Sequence, residues 1–364
     1  MKQSRRSMLA LVLGAIALLG VACGGIQQPD GWAAPVGIGD RLLVQADTGR
    51  LSLIDPATGA AVWQFPQDHE SSRPFYATPV LDGDALYLVD YQGLVTRLRT
   101  GGTTPQSEWV MDLGEHVVAT PLLHAGSLYV ATEEGRVHII NADDGTVARA
   151  VDTDVRRIWG SPAGGAGAVY IADLDNGVTL AIDTQTGERV WAQEISGPSA
   201  ADLVLNRDLL VVGAFDHSIH ALDVTANGDE RWAFKGDGWF MGRPLIDGDT
   251  VYAATMRGTV YAIDLVSGEQ RWAFTAPDEA EFRAAPLLVD GMLVAPARDG
   301  RVFALDAANG QQQWMQDVVS DGNVNADPYL DGTNIYLVTS RHDLVRVDVS
   351  GGGAFQSVPL AAAR

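Results

Sequence analysis

Short runs of apolar residues, separated by glycine, aspartate and other turn-forming residues, recur along the chain with a period near 42 residues. The residue at the start of each copy serves as an anchor, and successive anchors are 41 to 44 residues apart. They are Pro35, Pro79, Pro121, Pro162, Leu203, Pro244, Pro286 and Pro328. A period of this length over most of a chain indicates a repeat architecture, in which each copy is one supersecondary unit.

Each copy contains four short apolar runs, A to D, without helical periodicity. In the copy that begins at Pro244, these runs cover 244–246, 251–254, 259–263 and 270–274, and Asp- and Gly-containing turns separate them. Run C is apolar at consecutive positions, so this strand must be covered on both faces. Blades stacked around an axis provide that cover. The sequence therefore predicts an all-β fold, an eight-bladed β-propeller of four-stranded antiparallel blades over residues 32–364.

The two ends of the repeat array bear on how the ring closes. The first copy begins with run A, and the last extends through run D, near 354–360. We therefore expect either direct docking of blade 8 on blade 1, or a short added strand from about residue 26 to residue 32.

A tryptophan follows run C in six copies, at Trp63, Trp109, Trp191, Trp232, Trp272 and Trp314. We expect each indole to pack between neighbouring blades and to donate its N–H to a carbonyl oxygen. The segment from Ala181 to Trp191, with the pattern A-x-D-x-x-T-G-x-x-x-W, resembles the tryptophan-docking motif of PQQ-type β-propeller repeats. Weaker forms recur at 55–63, 264–272 and 306–314. The resemblance implies the propeller fold and does not by itself imply an activity.

The first 22 residues have the features of a signal peptide. Lys2, Arg5 and Arg6 precede a short apolar segment, which ends in Gly-Val-Ala just before Cys23. Cys23 is the single cysteine of the chain, and its context resembles a lipobox. We predict an exported protein that is lipid-anchored at Cys23 to a membrane of the cell envelope, with a linker over residues 23–31. The adjacent arginines are also compatible with twin-arginine export.

Charge excludes one large class of partner. The chain has 25 basic and 46 acidic residues, for a formal net charge of −21. Phosphate binding requires clustered lysine and arginine, so we expect no nucleic-acid partner.

The two ends of the predicted propeller differ in their loops. The A–B and C–D turns share one face and have similar sequences from copy to copy. The B–C turns and D–A connections share the other face, and their sequences and lengths are irregular. Basic and aromatic residues outside the repeat pattern fall on this irregular face, and such residues commonly anchor protein interfaces. The candidate partner-binding residues are Arg73, Phe75, Tyr76, Arg156, Arg157, Trp159, His217, Trp239, Phe240, Arg243, Arg283 and His342. Alternatively, Trp32, Tyr76 and Trp159, each three residues before an anchor, plug the mouth of the channel.

No residue pattern indicates a catalytic or metal site. His217 and His220 have no third ligand nearby in the sequence, and Asp173 to Gly177 has only half of a calcium loop. Quinone-dependent dehydrogenases resemble the chain in their blades, but they have a vicinal disulfide that a chain with one cysteine cannot form. We therefore predict neither an enzyme nor a bound cofactor.

The chain resembles the BamB family of outer-membrane assembly lipoproteins in its size, its lipobox and its eight-bladed propeller without large insertions. This resemblance implies a binding scaffold that contacts envelope proteins, including the barrel-assembly machinery, through the irregular face. A propeller that binds a small ligand or a glycan, with axial aromatic residues and His217 or His342, remains the alternative, ahead of a relative of the quinone dehydrogenases.

Overall fold

The computed structural model describes residues 31–68, 73–102, 104–319 and 322–360. The predicted signal peptide, Cys23 and nearly all of the predicted linker lie outside these ranges. Strands β1 to β32 form eight four-stranded sheets, each built from four consecutive strands with antiparallel neighbours. The prediction of an eight-bladed propeller is confirmed.

Strand A of each blade has only three residues and begins at the residue directly after its anchor. The A strands are β1 (Val36–Ile38), β5 (Val80–Asp82), β9 (Leu122–His124), β13 (Ala163–Gly165), β17 (Val204–Asn206), β21 (Leu245–Asp247), β25 (Leu287–Val289) and β29 (Tyr329–Asp331). The B strands are β2 (Arg41–Asp47), β6 (Ala85–Val89), β10 (Ser127–Ala131), β14 (Ala168–Ala172), β18 (Leu209–Gly213), β22 (Thr250–Ala254), β26 (Met292–Pro296) and β30 (Asn334–Val338).

The third and fourth strands complete each sheet. The C strands are β3 (Arg50–Ile54), β7 (Leu94–Arg99), β11 (Arg136–Asn141), β15 (Val178–Asp183), β19 (Ser218–Asp223), β23 (Thr259–Asp264), β27 (Arg301–Asp306) and β31 (Asp343–Asp348). The D strands are β4 (Ala61–Phe65), β8 (Gln106–Asp112), β12 (Val147–Asp152), β16 (Arg189–Glu194), β20 (Asp229–Lys235), β24 (Gln270–Thr275), β28 (Gln312–Asp317) and β32 (Ala354–Pro359). Two 3₁₀ helices, Val224–Ala226 and Pro277–Glu279, lie in connections.

The hydrophobic core is divided among the eight interfaces between blades. Strands B and C are buried almost throughout, whereas most D-strand residues are exposed, as β22, β23 and β24 of blade 6 illustrate. Each cluster of buried apolar residues joins two neighbouring blades, as Val211 of blade 5 and Val251 of blade 6 illustrate. Stability therefore depends on contacts between adjacent repeats, as expected for a stacked array.

The ring closes by direct docking of blade 8 on blade 1, the first of the two expected arrangements. Leu42 and Ile54 of blade 1 pack with Tyr336, Leu344 and Leu360 of blade 8. No strand precedes β1 among the described residues, which begin at Gly31.

The repeated tryptophans pack between neighbouring blades, as expected, but the expected indole hydrogen bond is absent at Trp63 and Trp314, whose buried N–H groups have no partner. The indole N–H of Trp232 donates to the carbonyl oxygen of Leu265 at 2.9 Å, and Trp272 donates to Ala307 at 3.0 Å. Five of the six rings cover a glycine of the following C–D turn. These pairs are Trp109 with Gly145, Trp191 with Gly228, Trp232 with Gly268, Trp272 with Gly310 and Trp314 with Gly353. Where the tryptophan is missing, Arg149 covers Gly187 and Val358 covers Gly59. The docking position is therefore occupied by other side chains where the motif fails.

Candidate functional site

Two regions of the irregular face combine polar, charged and aromatic side chains: a cavity on the propeller axis and part of the surrounding rim. The antiparallel order of each sheet places the B–C turns and the D–A connections on this same face. Contacts between them confirm the arrangement, since Leu113 N donates to Gly93 O and Arg157 N donates to Glu133 O.

The axial cavity has a volume of about 100 Å³ and is lined by two rings of residues that the repeat itself defines. The −3 ring contains the residue three positions before each anchor: Trp32, Tyr76, Val118, Trp159, Ala200, Met241, Arg283 and Asn325. The −1 ring contains the residue directly before each anchor: Ala34, Thr78, Thr120, Ser161, Asp202, Arg243, Ala285 and Asp327. All of these residues except Ala34 and Ala285 line the cavity.

A belt of hydrogen bonds runs around much of the −1 ring. The backbone N–H of one ring member donates to the side-chain oxygen of the next. The donor–acceptor pairs are Ala34 to Thr78, Thr78 to Thr120, Thr120 to Ser161, Ser161 to Asp202 and Ala285 to Asp327, at 2.7 to 3.3 Å. The belt satisfies partly buried backbone donors at the axis, and it connects blades 1 to 5 in series and blade 7 to blade 8.

The two halves of the cavity wall differ in chemistry. Blades 5 to 8 contribute the charged side chains of Asp202, Arg243, Arg283 and Asp327. Blades 1 to 4 contribute aromatic rings and hydroxyl groups, and Trp32 packs on Tyr76 with ring centroids 4.3 Å apart. The Arg283 guanidinium lies 4.3 Å from the Trp32 centroid, a cation–π contact that joins the halves.

Burial alters the protonation of two groups on this wall. Desolvation, reinforced by the nearby Asp202 carboxylate, raises the pKa of Asp327 to about 6, although Arg243 and Arg283 oppose this. Desolvation and the positive charge of Arg298 lower the pKa of Arg283 to about 10, so this side chain is still charged at neutral pH. Both shifts have the same main cause, which is that burial at the axis removes solvation from the charged forms.

The pKa of Asp327 predicts a pH-dependent stability. Between pH 3.8 and about 6, the folded chain retains a proton that the unfolded chain has lost, so the free energy of unfolding falls as pH rises through this window. Asp327→Asn should therefore raise this free energy by ~1–2 kcal/mol at neutral pH, within the limit of about 1.4 kcal/mol per pKa unit. It should have little effect below pH 3.8.

Urea unfolding at the two pH values measures this effect. The matched control is Asp264→Asn, because hydrogen bonds from Arg271 and from the turn backbone lower the pKa of Asp264. The control substitution should lower the free energy of unfolding at neutral pH, which is opposite in sign to the effect expected for Asp327→Asn. A destabilised Asp327→Asn variant at neutral pH would show that the Asp327 charge is stabilising after all.

An aromatic arc extends from the cavity onto the face. Tyr76 contacts Tyr91 at 5.3 Å, and Tyr91 contacts His116 at 4.8 Å between ring centroids. Glu133 accepts hydrogen bonds from Trp159 Nε1 at 2.7 Å and from the Tyr91 hydroxyl at 3.1 Å. The structure thus places Trp32, Tyr76 and Trp159 around the mouth of the channel, where the alternative interpretation expected them.

The rim has one exposed aromatic anchor. Trp239 is 49% exposed, and its ring stacks on Phe215 with centroids 5.2 Å apart and planes inclined by 26°. Its carbonyl oxygen accepts a hydrogen bond from Met256 N at 2.9 Å, which connects the loop to blade 6. The other strongly exposed large apolar side chains of the described ranges lie elsewhere, on D strands or in the C–D turn that contains Val266. Trp239 is therefore distinctive on this face.

Three exposed arginines of the irregular face form no ion pair within the described residues: Arg156, Arg243 and Arg257. Arg257 is adjacent to the Trp239 loop, since a Cβ atom added to Gly238 would lie 2.7 Å from its Cγ. A chain with net charge −21 thus presents one unneutralised cation, Arg257, beside its exposed tryptophan.

The remaining candidate residues have intramolecular roles. Phe75, Tyr76 and Phe240 are buried, with at most 4% exposure, and we therefore leave them out of the exposed rim. Arg73 pairs with Asp90 and Arg157 pairs with Asp175. His217 and His342 replace a turn glycine with φ angles of 74° and 59°, which are unusual for residues with a side chain.

The histidine pair and the half calcium loop also have structural explanations. His220 is fully buried, with Nδ1 2.7 Å from Glu230 Oε2 and Nε2 3.5 Å from Asp216 Oδ1. Asp173 closes its turn by accepting hydrogen bonds from the backbone of Asn176 and Val178. Among the described residues, no group of three or more His, Cys, Asp or Glu side chains could hold a metal ion.

Sequence reasoning missed Asp202, Asn325 and Asp327 on the cavity wall, as well as Phe215 on the rim. A signal for the first three was present, because they occupy the −3 and −1 positions of the repeat. Aligning the eight copies at their anchors would have revealed both rings. Phe215 and Arg257 lie in B–C turns, and only the packing of the adjacent D–A loop brings them to Trp239.

Comparison with known proteins identifies a family. A family model described as outer membrane protein assembly factor BamB matches residues 28–151, 150–239 and 226–364. BamB of Burkholderia pseudomallei is 29% identical over 132 residues, which are 33% of this chain and 34% of that protein. BamB of Nitrosomonas eutropha is 24% identical over 252 residues, 66% of this chain and 50% of that protein. The matches thus span half or less of the length of these relatives.

A solved structure supports the fold. The crystal structure of BamB from Moraxella catarrhalis superimposes with a TM-score of 0.69 at 18% identity and covers 88% of this chain and 94% of that one. At this level of identity, the superposition shows a shared fold. Since the family model matches nearly the whole chain, this protein belongs to the family of the outer membrane protein assembly factor BamB.

Proposed function

We propose that this protein is a non-catalytic, exported scaffold that assists the assembly of β-barrel proteins in the outer membrane. It contacts the barrel-assembly machinery through its irregular face. Family membership and the names of the relatives support the general role. The observation that carries the choice of surface is Trp239, half-exposed, stacked on Phe215 and flanked by Arg257.

The rim around Trp239 has the properties of an interface anchor. Tryptophan and arginine are enriched among residues that dominate binding energy, because they combine a large contact area with directional polar groups. The stacking on Phe215 and the hydrogen bond from Met256 hold the Trp239 loop in one conformation, so little entropy is lost on binding. The complementary partner surface has an apolar pocket bordered by a carboxylate, which would pair with Arg257.

Export and anchoring belong to the same proposal. Cleavage before Cys23 and lipidation of its thiol would tether the propeller to an envelope membrane, where the machinery operates. The described part of the chain has no helix with the length and apolar character of a membrane span.

Replacing Trp239 with alanine should weaken binding to the purified barrel-assembly machinery by about 30-fold, the effect of losing roughly 2 kcal/mol at an interface anchor. The full lipidated protein in detergent is used, and biolayer interferometry measures the affinity. The matched control is Phe355→Ala, because Phe355 is 47% exposed but lies on the outer strand β32.

Chemical cross-linking in cells provides a second readout. We expect the wild-type protein and the Phe355→Ala variant to capture components of the machinery, and the Trp239→Ala variant to lose them. Equal binding by both variants would contradict the proposed surface. Failure of the wild-type protein to bind the machinery would contradict the proposed function.

A further inference from the structure

The axial cavity contains an arrangement of charges that the scaffold role does not require. Asp202, Arg243, Arg283 and Asp327 come from four consecutive blades and line one small space. Within the described residues, none of the four forms an ion pair at 4 Å or less, although Arg243 and Arg283 influence the protonation of Asp327. Two cations and two carboxylates are therefore held near one another without direct contact.

Each charged group keeps hydrogen-bonding capacity that the fold does not use. Asp202 and Asp327 each accept one backbone N–H of the belt through Oδ1. Their second oxygens have no partner among the described hydrogen bonds. Arg283 stacks on Trp32, which leaves the N–H groups at the edge of its guanidinium available. The side-chain oxygen of Asn325, on the same wall, is buried without a hydrogen-bond partner.

Cavity size limits what can bind. A cavity of about 100 Å³ is smaller than the roughly 150 Å³ that accommodates benzene, so it suits a molecule of about four to six heavy atoms. It is far below the ~300 Å³ at which sites for drug-sized ligands or sugar chains begin.

The charges define the ligand class. A simple anion would meet two carboxylates, and a simple cation would meet two guanidinium groups, so either would be repelled by half of the wall. We propose that the axial cavity binds a small zwitterion of the α-amino acid class. Its carboxylate lies toward Arg243 and Arg283, its ammonium toward Asp202 and Asp327, and its short side chain toward the aromatic half formed by Trp32, Tyr76 and Trp159.

Isothermal titration calorimetry on the full protein in detergent tests the proposal with defined probes. Glycine and L-alanine should bind at least ~10-fold more tightly than propionate or ethylamine, each of which lacks one of the two charges. L-Tryptophan should not bind, because it exceeds the cavity volume. Equal affinity for all small probes, or no binding of glycine or alanine at millimolar concentrations, would overturn the proposal and indicate a cavity filled by water.

Variants connect binding to the named residues. Arg283→Gln and Asp327→Asn should each weaken alanine binding at least ~10-fold, whereas Arg257→Gln, an exposed change on the rim, should leave it unchanged. Thermal unfolding of each variant separates loss of binding from loss of fold. Wild-type binding should also weaken below about pH 6, where Asp327, facing Asp202, Arg243 and Arg283, becomes protonated. Unchanged affinity in both cavity variants would place the ligand elsewhere.

Discussion

Replacing Trp232 with alanine is expected to lower the free energy of unfolding by ~3–5 kcal/mol, the usual cost of removing a large buried aromatic side chain. Trp232 is 9% exposed and packs in the cluster that joins blades 5 and 6. The truncation leaves a cavity in this interface and removes the hydrogen bond to Leu265. Since each blade depends on its neighbours, loosening one interface weakens the whole ring. Chemical denaturation followed by circular dichroism measures the loss.

Phenylalanine substitutions separate packing from hydrogen bonding. Trp232→Phe retains an aromatic ring but leaves the Leu265 carbonyl without its donor, and should cost about 1–3 kcal/mol. Trp63 is a matched control, because it is 5% exposed but its indole N–H has no hydrogen-bond partner. Trp63→Phe should therefore cost less than Trp232→Phe. Equal costs would show that the indole hydrogen bond contributes little to docking.

Gly268→Ala is expected to cost about 2–4 kcal/mol, from backbone strain and from overpacking together. Gly268 has a φ of +73°, which residues with a Cβ atom disfavour. An added Cβ atom would also lie 2.7 Å from Trp232 Cγ, much closer than normal contact. The indole would have to move away from its docking position. Denaturation midpoints of the variant and of the wild-type protein measure the effect.

Gly248→Ala isolates the strain contribution. Gly248 has a φ of +55°, and nothing lies within 4 Å of an added Cβ atom. It should cost only about 1–2 kcal/mol. The difference between the two alanine variants then reports the packing of Trp232 on the turn. Equal losses of unfolding free energy would mean that the Trp232 ring moves at no energetic cost, and that its contact with Gly268 contributes little to stability.

The docking tryptophans and the functional candidates lie in different parts of the blade. Trp232 and Gly268 connect blades near the regular C–D turns, whereas Trp239 and the two axial rings belong to the irregular face. The interfaces between blades fix the positions of the loops, and the loops remain free to vary in sequence. This separation explains how one repeat can build both a stable ring and an asymmetric surface.

Much of the architecture followed from the sequence because its causes are local. Apolar runs, Asp- and Gly-containing turns and the anchor positions recur within about 42 residues, and every strand A begins directly after its anchor. Antiparallel connectivity then places the D–A loops and B–C turns on one face. The candidate list from the irregular face included residues that the fold buries, such as Phe75 and Phe240, because the loop sequence does not show which side chains turn inward.

The sequence by itself determined the eight blades, their four strands, the docking tryptophans and the two unlike faces, because turn chemistry and short apolar runs act over a few residues. Only the tertiary structure decided which side chains meet at the axis and on the rim. Asp202 and Asp327 are more than a hundred residues apart, and closure of the ring through blade 1 and blade 8 places them on one cavity wall. Likewise, the packing of neighbouring loops pairs Arg157 with Asp175 and stacks Trp239 on Phe215.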